Sequence, residues 1–351
     1  MESHRSFGAI HDVNMPINAQ SSTDGSVEQK VEALRNDIVG NMATLSGPYG
    51  QVPCVYADWT ASGRALKSVE KYVLEEVMPL YGNTHTTSSM TGHQSTCYRH
   101  EARQIVAEAT NAKITGRAAV DVVVFTGNGT TAAIKKVVES LGLHVPPPPG
   151  YEDEKYRPVV FTSAYEHHSN LLPWRESVAD VVTIAYDPVM GVSMTDLEHK
   201  LRQYSSRRVK VGTFAAASNV TGLLTAVDQV AATLHRAGAY AIFDYATAAP
   251  YVKVDMNPVA VGPDADLVYK DAVIFSGHKF LGGPGAPGVL VAKRRLLSPI
   301  LVYVSVLSVR ENSRSNLDRS AQPNWAKVHG GASWDVRTVA KTQVAKTLGL
   351  N

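Results

Sequence analysis

Seven short apolar runs, separated by helical or polar stretches, are the feature of this 351-residue sequence that most restricts its fold. Helical patterns over residues 130–141, 194–204 and 227–237 separate several of the runs. Continuous apolar runs are typical of parallel strands that are buried on both faces. We therefore predict an α/β fold with a mainly parallel seven-stranded sheet and helices on both faces. The predicted strands are residues 122–125, 159–161, 181–184, 209–214, 241–243, 272–275 and 289–292.

The rest of the chain is less regular. Apolar residues with a helical rhythm predict an amphipathic helix over residues 26–45, and further helices are predicted over 66–78 and 98–112. Residues 55–63 are interpreted as a short strand and turn, and residues 81–93 as a polar loop. The predicted organisation has irregular termini: a flexible arm (1–25), a helix and linker (26–51), a large domain (52–297) and an atypical, poorly ordered tail (298–351).

Composition excludes several classes of partner. Lysines and arginines (34) nearly balance aspartates and glutamates (32), and the net charge of +2 does not favour nucleic acid or a membrane surface. No apolar run is long enough to cross a bilayer. Two cysteines make no disulfide framework, which favours a reducing, cytoplasmic compartment, although organelle import stays open.

Polar residues follow the predicted strands where a parallel sheet binds its ligands, beyond the carboxyl ends. Thr-Gly-Asn-Gly-Thr-Thr at 126–131 opens a helix and offers free backbone amides, two hydroxyls and a helix dipole. Gly129, Thr130 and Thr131 would thus form a phosphate cradle. An ordinary strand-to-helix turn is the alternative.

The adjacent histidines His167 and His168 follow the second strand. Neighbouring residues of a strand point apart, and no carboxylate or cysteine cluster completes a metal site around them. We therefore predict no metal, and interpret the imidazole as a group that lies flat against an aromatic ligand.

Asp244 directly follows the fifth predicted strand, and Lys279 follows the sixth after Ser-Gly-His. A carboxylate there needs a positive partner, which is a helix N-terminus, an arginine or a protonated ring nitrogen. A lysine there is either a solvated loop residue or a desolvated amine able to form a Schiff base. A phosphate cradle, a flat imidazole, a buried aspartate and a Schiff-base lysine are together what pyridoxal 5'-phosphate (PLP) requires.

From about residue 55 to 293 the sequence resembles the class V aminotransferases, which include cysteine desulfurases and selenocysteine lyases, among the fold-type I PLP enzymes. The resemblance is carried by Glu-His-His-Ser-Asn-Leu-Leu-Pro-Trp at 166–174 and Ser-Gly-His-Lys at 276–279. It implies the large domain of a PLP transferase, a small amino acid as substrate, and a homodimer whose surface includes residues 81–93 and the helix after them.

The resemblance also implies roles for individual residues. Lys279 would carry the cofactor as a Schiff base and later move a proton between it and the substrate Cα, while Asp244 would keep the pyridine nitrogen protonated. His167 would stack on the ring, Ala246 would face its other side, and Asn219 would lie near the ring hydroxyl and the substrate carboxylate. The residues implied for the phosphate are Thr130, Thr131, Ser276 and His278.

The chain also departs from the family pattern. Thr247 stands where the family has Gln or His, and residues 298–316 contain no counterpart of the family's Gly-rich loop. We expect no C-terminal domain with the family's substrate-binding arginine and persulfide cysteine. Cys54 and Cys97 are interpreted as small hydrophobes, and the alternative for Cys97 is a mildly activated thiol at the start of a helix. The expectation is a PLP-dependent transferase or lyase that resembles a cysteine desulfurase without a clear persulfide cysteine. The alternative is a catalytically silent PLP-fold protein or a truncated gene product.

Overall fold

The computed structural model describes residues 26–84, 86, 88–116, 119–147 and 149–297. These residues divide into two compact units. The first comprises described residues of 26–106 together with Gly277–Pro287, and the second comprises Ala107–Ser276 and 288–297. The arm predicted over 1–25 and the tail predicted from 298 onwards lie outside the described residues, and the domain boundaries predicted from the sequence stay a prediction.

The first unit begins with a capped helix. Ser26 and Gln29 form a reciprocal capping box at its start, which satisfies amide groups that a helix N-terminus leaves without partners. A 3₁₀ turn, Gly277–Lys279, also belongs to this unit. Its other elements in chain order are α1 (Val27–Asp37), β1 (Thr44–Gly47), β2 (Gly50–Pro53), α2 (Lys67–Tyr72), a π-helical turn (Val73–Val77), a 3₁₀ turn (Met78–Leu80) and the larger part of α3 (Met90–Ala109).

Three predictions in this unit were wrong, two of them in the bounds of a helix and one in the existence of a strand. The helix predicted over 26–45 ends at Asp37, because Ile38 is extended and bridges to Leu66; β1 and β2 then pair as a hairpin. Residues 55–63 form no strand. The helix predicted from residue 98 begins at Met90, because the Ser89 hydroxyl accepts a hydrogen bond from the Gly92 amide (3.2 Å) and so caps it.

The second unit is built on one seven-stranded sheet. Its elements are β3 (Asp121–Thr126), α4 (Gly129–Ser140), β4 (Val159–Ser163), α5 (Leu172–Arg175), β5 (Asp180–Ile184), β6 (Tyr186–Asp187), β7 (Gly191–Val192), α6 (Met194–Gln203), β8 (Lys210–Ala215), α7 (Val227–Arg236), β9 (Tyr240–Asp244), β10 (Ala272–Ser276) and β11 (Gly288–Lys293). The spatial order of the sheet is β3-β11-β10-β9-β8-β4-β5. Strands β10, β9, β8, β4 and β5 pair in parallel, while β11 runs antiparallel to both β10 and β3. All seven predicted strands are confirmed.

Helices cover both faces of this sheet. On one face Val211, Ile242 and Ile274 form a fully buried cluster with Ile134 and Val137 of α4. On the other face the sheet approaches α7 so closely that a Cβ added at Gly212 would lie 2.4 Å from the Leu234 side chain. Because successive strand residues point to opposite faces, apolar runs without alternation are what such a two-sided core requires.

Candidate active site

The carboxyl ends of several strands meet at one edge of the sheet. Strands β4, β8, β9 and β10 run parallel, and β3 has the same direction because β11 is antiparallel to both β3 and β10. The edge therefore receives the residues that follow each of these strands, as the sequence predicts.

A candidate anion cradle lies between β3 and α4. The N-cap residue Asn128 makes no side-chain capping hydrogen bond, so the positive end of this helix is not closed by its own side chain. The Thr130 amide donates to the Ser276 hydroxyl (2.9 Å), and the two hydroxyl oxygens lie 2.8 Å apart. Both residues are buried, whereas Thr131 is exposed. The structure thus brings together Thr130 and Ser276, two of the residues predicted for the phosphate.

A close approach between two backbones holds this cradle in place. Gly129 has a φ of +60°, and a Cβ added at Gly288 would lie only 2.1 Å from the Gly129 carbonyl oxygen. The Gly288 amide donates to the Gly127 carbonyl (3.3 Å). Strand β11 therefore begins directly against the turn, a role of Gly288 that the sequence interpretation missed because it depends on a contact distant in the chain.

Asp244 ends β9 near the middle of the sheet and is only 5% exposed. Its Oδ1 accepts a hydrogen bond from the Ala246 amide (2.8 Å), and its backbone carbonyl accepts one from the Ala216 amide. The turn after β9 thus holds the carboxylate, and the end of β8 holds the backbone of the same residue. A buried carboxylate in this place favours a cationic partner.

His167 follows β4 and is exposed at the start of a 3₁₀ turn, His168–Asn170. Its Nδ1 accepts from the Ser169 amide (3.2 Å) and lies 2.5 Å from the Ser169 hydroxyl. The imidazole is therefore oriented by its own loop. That it stacks on an aromatic ligand stays a prediction.

Asn219 lies in an exposed turn after β8. The turn is organised by Ser218, whose hydroxyl accepts from the amides of Val220 and Thr221 (both 3.2 Å). The contact of Asn219 with a ring hydroxyl or a substrate carboxylate stays a prediction, as does the place of Ala246 against the ring.

Lys279 and His278 belong to the first unit, in the 3₁₀ turn that follows β10 along the chain. The His278 carbonyl accepts from the Gly63 amide (2.9 Å) and from the Ser62 hydroxyl (3.3 Å). A Cβ added at Gly63 would lie 2.0 Å from the Phe280 carbonyl oxygen. Residues 62–63 thus hold the backbone on which the half-buried Lys279 is carried. The sequence predicts a short strand and turn over residues 55–63 and does not indicate this contact.

Both cysteines are free thiols of intermediate burial. Cys97 lies inside α3 and not at a helix start, since the helix begins seven residues earlier, and burial, with the nearby Glu101 carboxylate, raises the pKa of its thiol. Its Sγ lies 3.6 Å from the ring of His93. Within the part of the chain that the structure describes, no group of three or more His, Cys, Asp or Glu side chains is arranged to hold a metal ion. None of the described helices combines the length and the apolar character needed to span a membrane.

A mainly parallel sheet with an anion cradle and a buried carboxylate at its carboxyl edge has the architecture of the fold-type I PLP enzymes. The model of the aminotransferase class-V family matches residues 55–324, which is most of the chain. The chain belongs to this family.

Two curated relatives show the range of similarity. A probable cysteine desulfurase 2 of Mycobacterium leprae is 33% identical over 209 residues, which are 56% of this chain and 45% of the relative. A probable cysteine desulfurase of Staphylococcus aureus (strain Mu50) is 30% identical over 264 residues, 75% of this chain and 58% of the relative. The chain spans about half the length of the curated relatives it matches.

A solved structure confirms the fold. The apo cysteine desulfurase from Thermococcus onnurineus NA1 superposes with a TM-score of 0.65, at 22% identity, over 91% of this chain and 71% of that one. At that identity the likeness concerns the fold.

The class V aminotransferases depend on PLP, and the residues at the edge suit it. The helix start that lacks a side-chain cap and the Thr130 and Ser276 hydroxyls suit a phosphate, which prefers backbone amides and hydroxyl donors. The buried Asp244 carboxylate suits a protonated ring nitrogen. The chemistry of these donors therefore fits the cofactor.

Proposed function

We propose that this chain is a PLP-dependent transferase or lyase that acts on a small amino acid, with cysteine desulfuration as the reaction. The observation that carries the proposal is the junction of Thr130 with Ser276 at the edge where Asp244 ends its strand. The names of the relatives support the reaction: those from M. leprae and S. aureus are probable cysteine desulfurases.

In this proposal the cofactor supplies an electron sink that makes the substrate Cα proton acidic. Asp244 holds a proton on the ring nitrogen, since a carboxylate stabilises the positive charge there. The Thr130 and Ser276 hydroxyls, with Thr131 and His278, bind and orient the phosphate. His167 restricts the ring from one side and Ala246 from the other.

Lys279 has two tasks in the proposal. Its Nζ tethers the cofactor when no substrate is bound, and afterwards takes the proton from the substrate Cα. The turn in which it lies is fixed by hydrogen bonds from residues 62–63 to the His278 carbonyl, which keeps the backbone of the lysine in place. Asn219 would contact the ring hydroxyl and the substrate carboxylate.

In the net reaction, cysteine and an acceptor thiol give alanine and a persulfide. We also propose a homodimer, with residues 81–93 and α3 at its surface; of these, residues 85 and 87 lie outside the described residues. The two free thiols support a reducing, cytoplasmic compartment as a further part of the proposal.

Turnover tests the proposal. The purified chain, incubated with PLP, cysteine and dithiothreitol, should release alanine and sulfide in equal amounts, because dithiothreitol takes the sulfur and is then oxidised. Lys279→Ala should abolish release, while Lys71→Ala, which changes a lysine that is 72% exposed on α2, should leave it unchanged. Equal release from the Lys279→Ala variant would contradict the assigned role of this lysine, and no release from the unchanged chain would contradict the reaction.

A further inference from the structure

Glu166 is a titratable residue with an unusual number of hydrogen bonds, and the roles assigned above do not use it. Its Oε1 accepts from the Ser163 hydroxyl (2.5 Å) and from the Ala215 amide (2.9 Å), and its Oε2 accepts from the Asn170 amide group (2.6 Å). The three donors come from the end of β4, the end of β8 and the 3₁₀ turn after His167. One carboxyl group thus joins three separate pieces of backbone.

The contact with Asn170 continues into the interior. Asn170 is fully buried, and its Oδ1 accepts from the Trp174 ring nitrogen (3.2 Å) and from the Thr213 hydroxyl (2.7 Å). Trp174 is itself fully buried in the core on the α4 face. The loop that carries His167 is therefore fixed to the hydrophobic core through Glu166 and Asn170.

Glu166 also lies beside Asp244. Glu166 accepts a hydrogen bond from the Ala215 amide, and Ala215 of β8 is the direct register partner of Asp244 of β9. Burial raises the pKa of Glu166, and the nearby Asp244 carboxylate raises it further; together they outweigh the hydrogen bonds that lower it and bring the pKa to about 7. Burial and, to a smaller extent, the Glu166 carboxylate raise the pKa of Tyr165 in the same loop. The groups that donate hydrogen bonds to Glu166 from β4, β8 and the 3₁₀ turn are uncharged.

We propose that Glu166 is a positioning residue of the cofactor site, which anchors the His167 loop to the end of β8 and sets the charge beside Asp244. This inference rests on the proposed function, because it takes His167 to lie against one face of the cofactor ring and Asp244 to contact the ring nitrogen. The geometry supports it directly: the residue next to His167 is bonded to the strand position paired with Asp244.

Glu166→Gln is the first variant to test. All three groups around the Glu166 carboxyl donate a hydrogen bond to it. In the Gln variant the side-chain NH₂ group replaces one of the two oxygens. Wherever it lies, it faces a donor, so the variant cannot make the full set of contacts. In the cofactor-free protein, amide hydrogen exchange over residues 167–171 should become roughly tenfold faster, because a buried donor loses its partner. Glu198→Gln, on the exposed face of α6, is the matched control.

Two properties of the bound cofactor, its affinity and the pH midpoint of its visible band, distinguish a positioning role from a purely structural one. PLP should bind Glu166→Gln about tenfold more weakly, since its site is less often in the competent arrangement. The pH midpoint of the visible band of the bound cofactor should fall by roughly one unit, because a nearby carboxylate favours the protonated form and the variant removes it. Ser163→Ala keeps the Glu166 carboxyl and removes one of its donors. It should lower the PLP affinity and the pH midpoint in the same direction, but by less. If Glu166→Gln does not fold, Ser163→Ala serves as the test.

The outcomes separate the two proposals. If the unchanged chain binds PLP, and both variants bind it with the same affinity and the same pH midpoint, Glu166 has no positioning role while the proposed function stands. If the unchanged chain binds no PLP, the proposed function is wrong and this inference with it.

Discussion

Thr130 and Ser276 are 146 residues apart in the chain, yet their hydroxyl oxygens lie 2.8 Å apart and the Thr130 amide donates to the Ser276 hydroxyl. The contact ties the first turn of α4 to the last residue of β10. The candidate phosphate cradle is thus a product of the tertiary fold, and neither segment would form it alone.

Removing this contact should weaken cofactor binding. Ser276→Ala takes away a hydroxyl and leaves the buried Thr130 amide without its acceptor, so the Kd for PLP should rise about tenfold. Fluorescence titration of the purified chain measures it. Ser205→Ala, in an exposed turn, should leave the Kd unchanged. An unaltered Kd in Ser276→Ala would mean that the phosphate lies elsewhere.

The close approach of β11 to the cradle should leave no room for a side chain at Gly288. Gly288→Ala places a Cβ 2.1 Å from the Gly129 carbonyl oxygen, and the forced shift should lower the free energy of unfolding by at least about 1–3 kcal/mol. Gly127→Ala is the matched control, because a Cβ there meets nothing within 4 Å. Urea denaturation measures both. Equal stability of the two variants would show that the backbones are not in close contact.

The position of the turn that carries Lys279 should depend on the absence of a side chain at Gly63. In Gly63→Ala the new Cβ would lie 2.0 Å from the Phe280 carbonyl oxygen, so the turn that holds Lys279 has to move. At a fixed PLP concentration, the fraction of protein carrying borohydride-fixed cofactor should fall several-fold. Gly47→Ala makes only an ordinary contact at 3.6 Å and should behave as the unchanged chain does. Full labelling of Gly63→Ala would remove the support we assign to residues 62–63.

Glu166 should make the protein less stable as the pH rises from acidic to neutral. Burial raises its pKa from an ordinary 4.5 to about 7, so the folded state holds this proton more tightly than the unfolded chain does. The resulting stability is fully present below about pH 4.5 and is lost as the pH rises through about 7. The difference in unfolding free energy between the unchanged chain and Glu166→Gln should therefore shrink by roughly 3 kcal/mol across this interval. A difference that stays constant with pH would place the Glu166 carboxyl in water.

The sheet could be predicted from the sequence because strands buried on both faces must be apolar throughout. All seven runs became strands, and α4, α6 and α7 begin within one residue of the predicted positions. The position of Thr130, Asp244 and Ser276 at the carboxyl edge could be predicted for a related reason, since polar residues that follow parallel strands lie at that edge; their roles toward a cofactor stay predictions.

The elements that were missed depend on contacts between distant residues. Nothing near Gly63 or Gly288 in the sequence shows that another backbone leaves no room for a Cβ there. The N-terminal helix was predicted too long because its apolar rhythm continues past Asp37, whereas the bridge between Ile38 and Leu66 ends it. Ser89 was a capping signal within the predicted polar loop, and its use would have placed the start of α3 correctly.

The most direct test of the central claim is where the cofactor attaches. The purified chain should be incubated with PLP, reduced with borohydride, digested and mapped by mass spectrometry. We expect one pyridoxyl group per chain, on Lys279, and a loss of that label in Lys279→Ala but not in Lys71→Ala. A label on another lysine, or no label at saturating cofactor, would contradict it.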